Sequence, residues 1–149
     1  MAAATGHLAT PLNVRNSVLE AVGNTPAVKL RKLVTREMAD VVVKLEYYNP
    51  TGSYKDRMAL AMIEGAEARG ALRPGMRVVE YTGGSTGSSL ALVCAIKGYP
   101  FVPVSSDGFA REKLQTMRLF GADLQIVPSE NGKLTPELFR TMIEPERVH

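Results

Sequence analysis

The chain has 149 residues, 45% of them hydrophobic and 22% charged, with a net charge of +3. That is one domain's worth, long enough to bury a core. Its charges are interspersed, with no basic block and no aromatic–basic stripe, so nucleic acid is not an expected partner; the single Cys94 excludes an intrachain disulfide and a cysteine metal cluster.

In chain order, residues 1–15 show no period and read as a flexible arm. Ser17 is placed to cap a short helix over Val18–Val22, stopped by Gly23. Ala27–Leu30 and Val41–Glu46 read as strands. The three consecutive valines 41–43 predict burial on both faces. From Met58 to Arg69, Ala59, Met62, Ile63 and Ala66 recur at helical spacing, and Gly70 ends the run. Arg77–Tyr81 is the next strand and Thr86–Lys97 the next helix, closed by Gly98. Phe101–Val104 is a strand whose internal Pro103 predicts an edge position or a strand end. A helix over Ala110–Phe120, a strand over Leu124–Val127 and a helix over Pro136–Ile143, capped by Thr135, complete the order. From Val78 onward strands and helices alternate through short connections. The expected fold is therefore α/β: an open parallel sheet in three layers, with helices on both faces.

Two segments carry chemistry. Asn49-Pro50-Thr51-Gly52-Ser53-Tyr54-Lys55-Asp56-Arg57 joins a strand to a helix and holds Lys55 just after a tight turn. A primary amine so placed can condense with a bound carbonyl group. The bland alternative is a surface lysine beside a helix start. Thr82-Gly83-Gly84-Ser85-Thr86-Gly87 joins the end of a strand to a helix. Its glycines let amide N–H groups converge, and the helix N-terminus adds partial positive charge, so the loop suits an anion. The same residues fit G-x-S-x-G, the nucleophile elbow of serine hydrolases, with Ser85 as nucleophile. That reading needs a downstream histidine, and the histidines are His7 and His149. Cys94 sits in an apolar helix as a small hydrophobe. Met1–Ala4 lacks the charged and apolar regions of a signal peptide, and no apolar run reaches membrane-spanning length, so no membrane partner and a cytoplasmic setting are expected.

The nine-residue segment around Lys55 resembles the lysine motif of the cysteine synthase and cystathionine β-synthase family, the fold type II enzymes that use pyridoxal 5'-phosphate. Glu80–Gly87 falls 25 to 32 residues after Lys55, where that family has a Thr-Ser-Gly-Asn-Thr-Gly loop. Val22-Gly23-Asn24-Thr25-Pro26 is similar to its early turn. The resemblance runs from about residue 17 to about residue 144. It implies that Lys55 holds pyridoxal 5'-phosphate and acts as base, and that Thr82, Gly83, Gly84, Ser85 and Thr86 hold the carboxylate of an amino-acid substrate. Ser85, standing where the family has asparagine, would also touch the cofactor ring; Gly83 stands where it has serine. The implied reaction is β-replacement or β-elimination on an activated serine, as in making cysteine from O-acetylserine and sulfide.

Family members are about twice this length. Their cradle for the cofactor phosphate comes later in the chain and has no counterpart here. The resemblance therefore implies an N-terminal domain over residues 16–149 without its C-terminal cofactor-phosphate domain, truncated and inactive alone. The strands near Val28 and Val42 would join that second domain. Partners expected on this basis are a small amino-acid substrate, and either a second copy of the chain or a complementing C-terminal half. A non-catalytic half-fold that binds another chain is the alternative of a different class.

Overall fold

The computed structural model describes residues 14–143. Residues 1–13 of the expected arm, with His7, and residues 144–149, with His149, lie outside them. Ser17 caps a short 3-10 helix, Val18–Ala21, accepting the Leu19 amide at 3.2 Å. Strands β1 (Ala27–Lys29) and β2 (Val42–Lys44) form an antiparallel ribbon in which Val28 faces Val43. The expectation that the valines are buried on both faces is overturned. Val42 is 59% exposed, because among the described residues the ribbon pairs with itself and no helix covers it.

Helix α1 (Lys55–Ala68) starts three residues earlier than its apolar period predicts, so Lys55 is its first residue. Ala59 and Ile63, four apart, turn inward. Strand β3 (Val78–Tyr81), helix α2 (Ser85–Lys97), strand β4 (Phe101–Ser106), helix α3 (Arg111–Leu119), strand β5 (Gln125–Val127) and helix α4 (Pro136–Ile143) follow. Gly98 ends α2 in the left-handed region, at φ 78°, where a side chain would strain the backbone. Thr135 caps α4 as expected, its hydroxyl accepting the Leu138 amide at 3.2 Å.

The sheet is parallel, in the order β3-β4-β5. Strand β4 is central and buried along its whole length, so the edge position expected from Pro103 is wrong. The hydrogen bonds give the reason. Pro100 and Val104 accept from β3, which turns residue 103 toward β5. The Asp123 amide already donates to the Phe101 carbonyl at 2.9 Å, and the paired register with β5 runs from Val104. The missing Pro103 N–H therefore removes one rung near the start of that ladder and leaves the pairing with β3 whole.

Alternation along the strands divides the core. Phe101 and Ile126 face α1, α2 and α3, together with Ala59, Ile63, Leu90, Val93, Leu114 and Met117. Val104 and Val127 face α4, with Leu138 and Met142. Helices on both faces of a parallel sheet are the three layers expected. Helix α2 is buried without a break from Gly87 to Cys94, which makes it the inner helix and sets its N-terminus at the carboxyl end of the sheet. Burial pushes the Cys94 thiol up to about 11, in keeping with an inert core residue.

Candidate active site

The turn before α1 uses nearly every side chain it has to hold itself. Asn49 donates to the Glu46 carbonyl at 2.7 Å and accepts the Gly23 amide at 2.9 Å. Ser53 accepts the Lys55 amide at 3.1 Å. Arg57 spans Glu46 with a two-pronged contact, Nε to Oε2 at 2.9 Å and Nη2 to Oε1 at 3.1 Å, and Thr25 donates to the same carboxylate at 2.7 Å. The Arg57 guanidinium first, then Thr25 and Asn49, hold the Glu46 carboxyl down at about 2. This knot ties the ribbon to α1. It also gives Gly23 a reason beyond its φ of 89°: a Cβ there would lie 2.9 Å from Arg57 Nη1.

Asp56 is wholly buried. It accepts the Thr51 amide at 2.8 Å, the Thr51 hydroxyl at 2.5 Å and the Ser89 hydroxyl at 2.6 Å. Ser89 lies one turn into α2, so Asp56 locks the start of α1 to the start of α2. The half-buried Lys55 is not tied down in this way. Its Nζ rests 4.6 Å from the centre of the Tyr54 ring and makes no hydrogen bond or ion pair among the described residues. It makes no hydrogen bond to the loop at 82–86 among the described residues. A cavity of about 470 Å³ lies elsewhere, along Met62, Ala66, Leu72 and Val78.

Thr82, Gly83, Gly84, Ser85 and Thr86 stand together at the mouth of α2. Thr82 Oγ1 accepts the Gly87 amide at 3.1 Å, so toward a ligand it offers its own O–H. The first bond into the helix is Ser88 N–H to the Gly84 carbonyl. The amides of Ser85 and Thr86 meet no acceptor among the described residues. A Cβ added at Gly84 would meet nothing within 4 Å, so this side of the loop is open. Gly83 is the reverse: a Cβ there would fall 2.0 Å from Phe109 Cγ.

A carbonyl cofactor needs an amine that is not otherwise engaged, and an amino-acid carboxylate needs converging donors. Lys55 meets the first need and the open amides of Ser85 and Thr86 the second, so the residues fit this end of a pyridoxal-phosphate site. For the hydrolase reading, Ser85 stands at the helix start, but both histidines lie outside the described residues.

Sequence reasoning missed Asp56, Thr51, Ser89 and Phe109. Asp56 was legible only as a helix-start acid; its burial depends on Ser89, 33 positions on. The serine pair 88–89 inside an apolar run was the one available signal. Phe109 gives none, because its contact with Gly83 is made entirely by the fold.

The model of the pyridoxal-phosphate dependent enzyme family matches residues 18–145. The chain belongs to that family. It is 41% identical over 150 residues to cysteine synthase of Staphylococcus aureus (strain Mu50 / ATCC 700699), covering 90% of this chain and 48% of that protein. It is 43% identical over 117 residues to O-ureido-L-serine synthase of Streptomyces lavendulae, covering 78% of this chain and 36% of that one. Among solved structures, O-acetyl serine sulfhydrylase isoform 3 from Entamoeba histolytica superposes with a TM-score of 0.74 at 32% identity, over 89% of this chain and 40% of that chain. The chain thus spans about half the length of the curated relatives it matches.

Proposed function

We propose that this chain is the lysine-bearing portion of a pyridoxal-phosphate enzyme that replaces or eliminates the β-substituent of a serine derivative, as a cysteine synthase does. The observation that carries the reading is the disengaged amine of the motif. Asn49, Thr51, Ser53, Asp56 and Arg57 all spend their side chains inside the protein, and the Lys55 amine does not.

When bound, the cofactor would supply an aldehyde carbon and an electron-accepting ring. Lys55 would hold that carbon and, once released, take the proton from the substrate's α-carbon. The amides of Ser85 and Thr86, with the hydroxyls of Thr82 and Thr86, would hold the substrate carboxylate against the partial positive charge of α2. Ser85 lies within this same loop, beside the cofactor ring in this reading. Asp56, through Thr51 and Ser89, would keep the two helix starts in register. Residues 16–149 then form the N-terminal domain, and a second domain would supply the phosphate cradle, from a complementing half or a longer chain. The same reading carries the small amino-acid substrate and the cytoplasmic setting expected above.

The test is trapping. Pyridoxal 5'-phosphate is added, borohydride follows, and the modified lysine is located by mass spectrometry. The label is expected on Lys55, with a visible absorption band before reduction and neither in Lys55→Ala. A label scattered over surface lysines would overturn the assignment.

A further inference from the structure

We propose that the outer edge of β3 is a docking edge for an extended segment of another polypeptide, one that is apolar except for a lysine or arginine set opposite Glu80. It stands on the sheet and not on Lys55, so it holds or fails apart from the proposed function. Hydrogen bonding defines the edge. Val78 donates its amide to the Pro100 carbonyl at 2.9 Å, and Thr82 donates to the Val104 carbonyl at 2.9 Å. Backbone groups alternate along a strand, so the N–H and C=O groups of Val79 and Tyr81 point away from β4. Among the described residues no strand pairs with them.

A strand laid on this edge finds a seat for its side chains on each face. On the α1 face lies the cavity of about 470 Å³, floored by Met62, Ala66, Leu72 and Val78. On the α4 face lies a hollow of about 170 Å³, lined by Val79, Tyr81, Val104, Met142 and Ile143. Both seats are apolar where alternate side chains would enter. In strand addition the main chain supplies affinity, and such seats supply selectivity.

Charge decides the occupant. Glu80 alternates with Val79 and Tyr81, so it turns toward the α1 cavity, which it lines. It is half-buried and makes no hydrogen bond or ion pair among the described residues, and burial pushes its carboxyl up. A carboxylate so placed lacks a donor. One lysine or arginine on the added strand supplies it. Arg69 and Arg77 line the same cavity but form no ion pair with Glu80 among the described residues. Their charge bars a segment that is basic throughout, so the match is a single base among apolar residues. A second copy of this chain is the wrong occupant. Two β3 edges could pair about a twofold axis with Val79 opposite Tyr81, which engages every free group. That register sets Glu80 directly against its own copy, and like charges opposite one another oppose pairing. An inward-pointing charge is one way in which edge strands resist self-pairing.

The experiment follows the Val79 and Tyr81 amide resonances while two acetylated heptapeptide amides are titrated into the chain. One is Thr-Leu-Val-Lys-Val-Leu-Thr; the other has Glu in place of Lys. The lysine peptide is expected to shift both amides, slow their hydrogen exchange and bind on the order of fivefold tighter than the other. Glu80→Gln should shrink that preference to about twofold or less, and Glu80→Lys should reverse it. Equal binding of the two peptides, a preference that Glu80→Gln leaves intact, or no shift at Val79 and Tyr81 with either peptide would overturn the proposal. So would protection of these two amides that rises with protein concentration and no peptide present, since a second copy would then be the occupant.

Discussion

Two side-chain contacts settle what individual residues do here. Gly83 and Phe109 compete for one volume, and that competition is measurable. Gly83→Ser is expected to cost about 1–3 kcal/mol by forcing the ring aside. In the Gly83→Ser/Phe109→Ala double variant the hydroxyl has room, so the combined loss should fall short of the sum of the single losses by about 1–2 kcal/mol. Urea unfolding of the four proteins checks this, and simple additivity would mean the two groups do not meet. Asp56 is the second case. Asp56→Ala strands the Thr51 amide, the Thr51 hydroxyl and the Ser89 hydroxyl, and should cost about 3 kcal/mol, whereas Ser89→Ala removes one donor and should cost about 1. Both should slow trapping of Lys55 by pyridoxal 5'-phosphate more than trapping of exposed lysines. At this scale the sequence was half legible. Lys55 and the loop at 82–86 stand out because turns and glycines punctuate the chain next to them. Asp56, Ser89 and Phe109 do not, because what makes them matter is a neighbour 26 or more positions away.

At the scale of elements, alternation of strand and helix was read correctly from Val78 onward, and the exceptions have physical causes. Pro103 suggested an edge because a proline lacks one ladder donor. It sits in the central strand because that donor faces β5 near the start of the ladder, so one rung is lost while pairing with β3 stays whole. The valines 41–43 suggested a buried strand because their composition is that of one; what covers a strand is not written in the strand. The link between the ribbon and α1 can be tested with acid. Glu46 lies at about 2 in the folded chain against an ordinary 4.5. A carboxyl depressed in this way stabilises the fold above its unfolded value, and the contribution drains away as pH falls from about 4.5 toward about 2. Arg57→Ala removes the main cause of the depression. Its acid transition, followed by circular dichroism, is therefore expected to begin at higher pH than that of the natural chain. Coincident transitions would show that the knot adds nothing to stability.

On the scale of the whole molecule, the exposed surface is as informative as the core. Val28, Val42 and Val43 on the ribbon and Val79 and Tyr81 on β3 lie open, and β3 is an edge strand of its sheet among the described residues. Uncovered apolar strands recruit partners. Sedimentation at high concentration is expected to show self-association that weakens in Val42→Lys/Val43→Thr, and a monodisperse monomer at all concentrations would refute it. The ribbon has one further property. It is fastened to the helices through the Glu46–Arg57–Thr25 knot, by heteroatoms and not by interdigitated carbon. Such a joint is short-ranged: it bears load until stretched by an ångström or so and then lets go at once. Whatever grips the ribbon would therefore tug directly on the helix whose first residue is Lys55, making a docked neighbour a mechanical handle on the reactive amine.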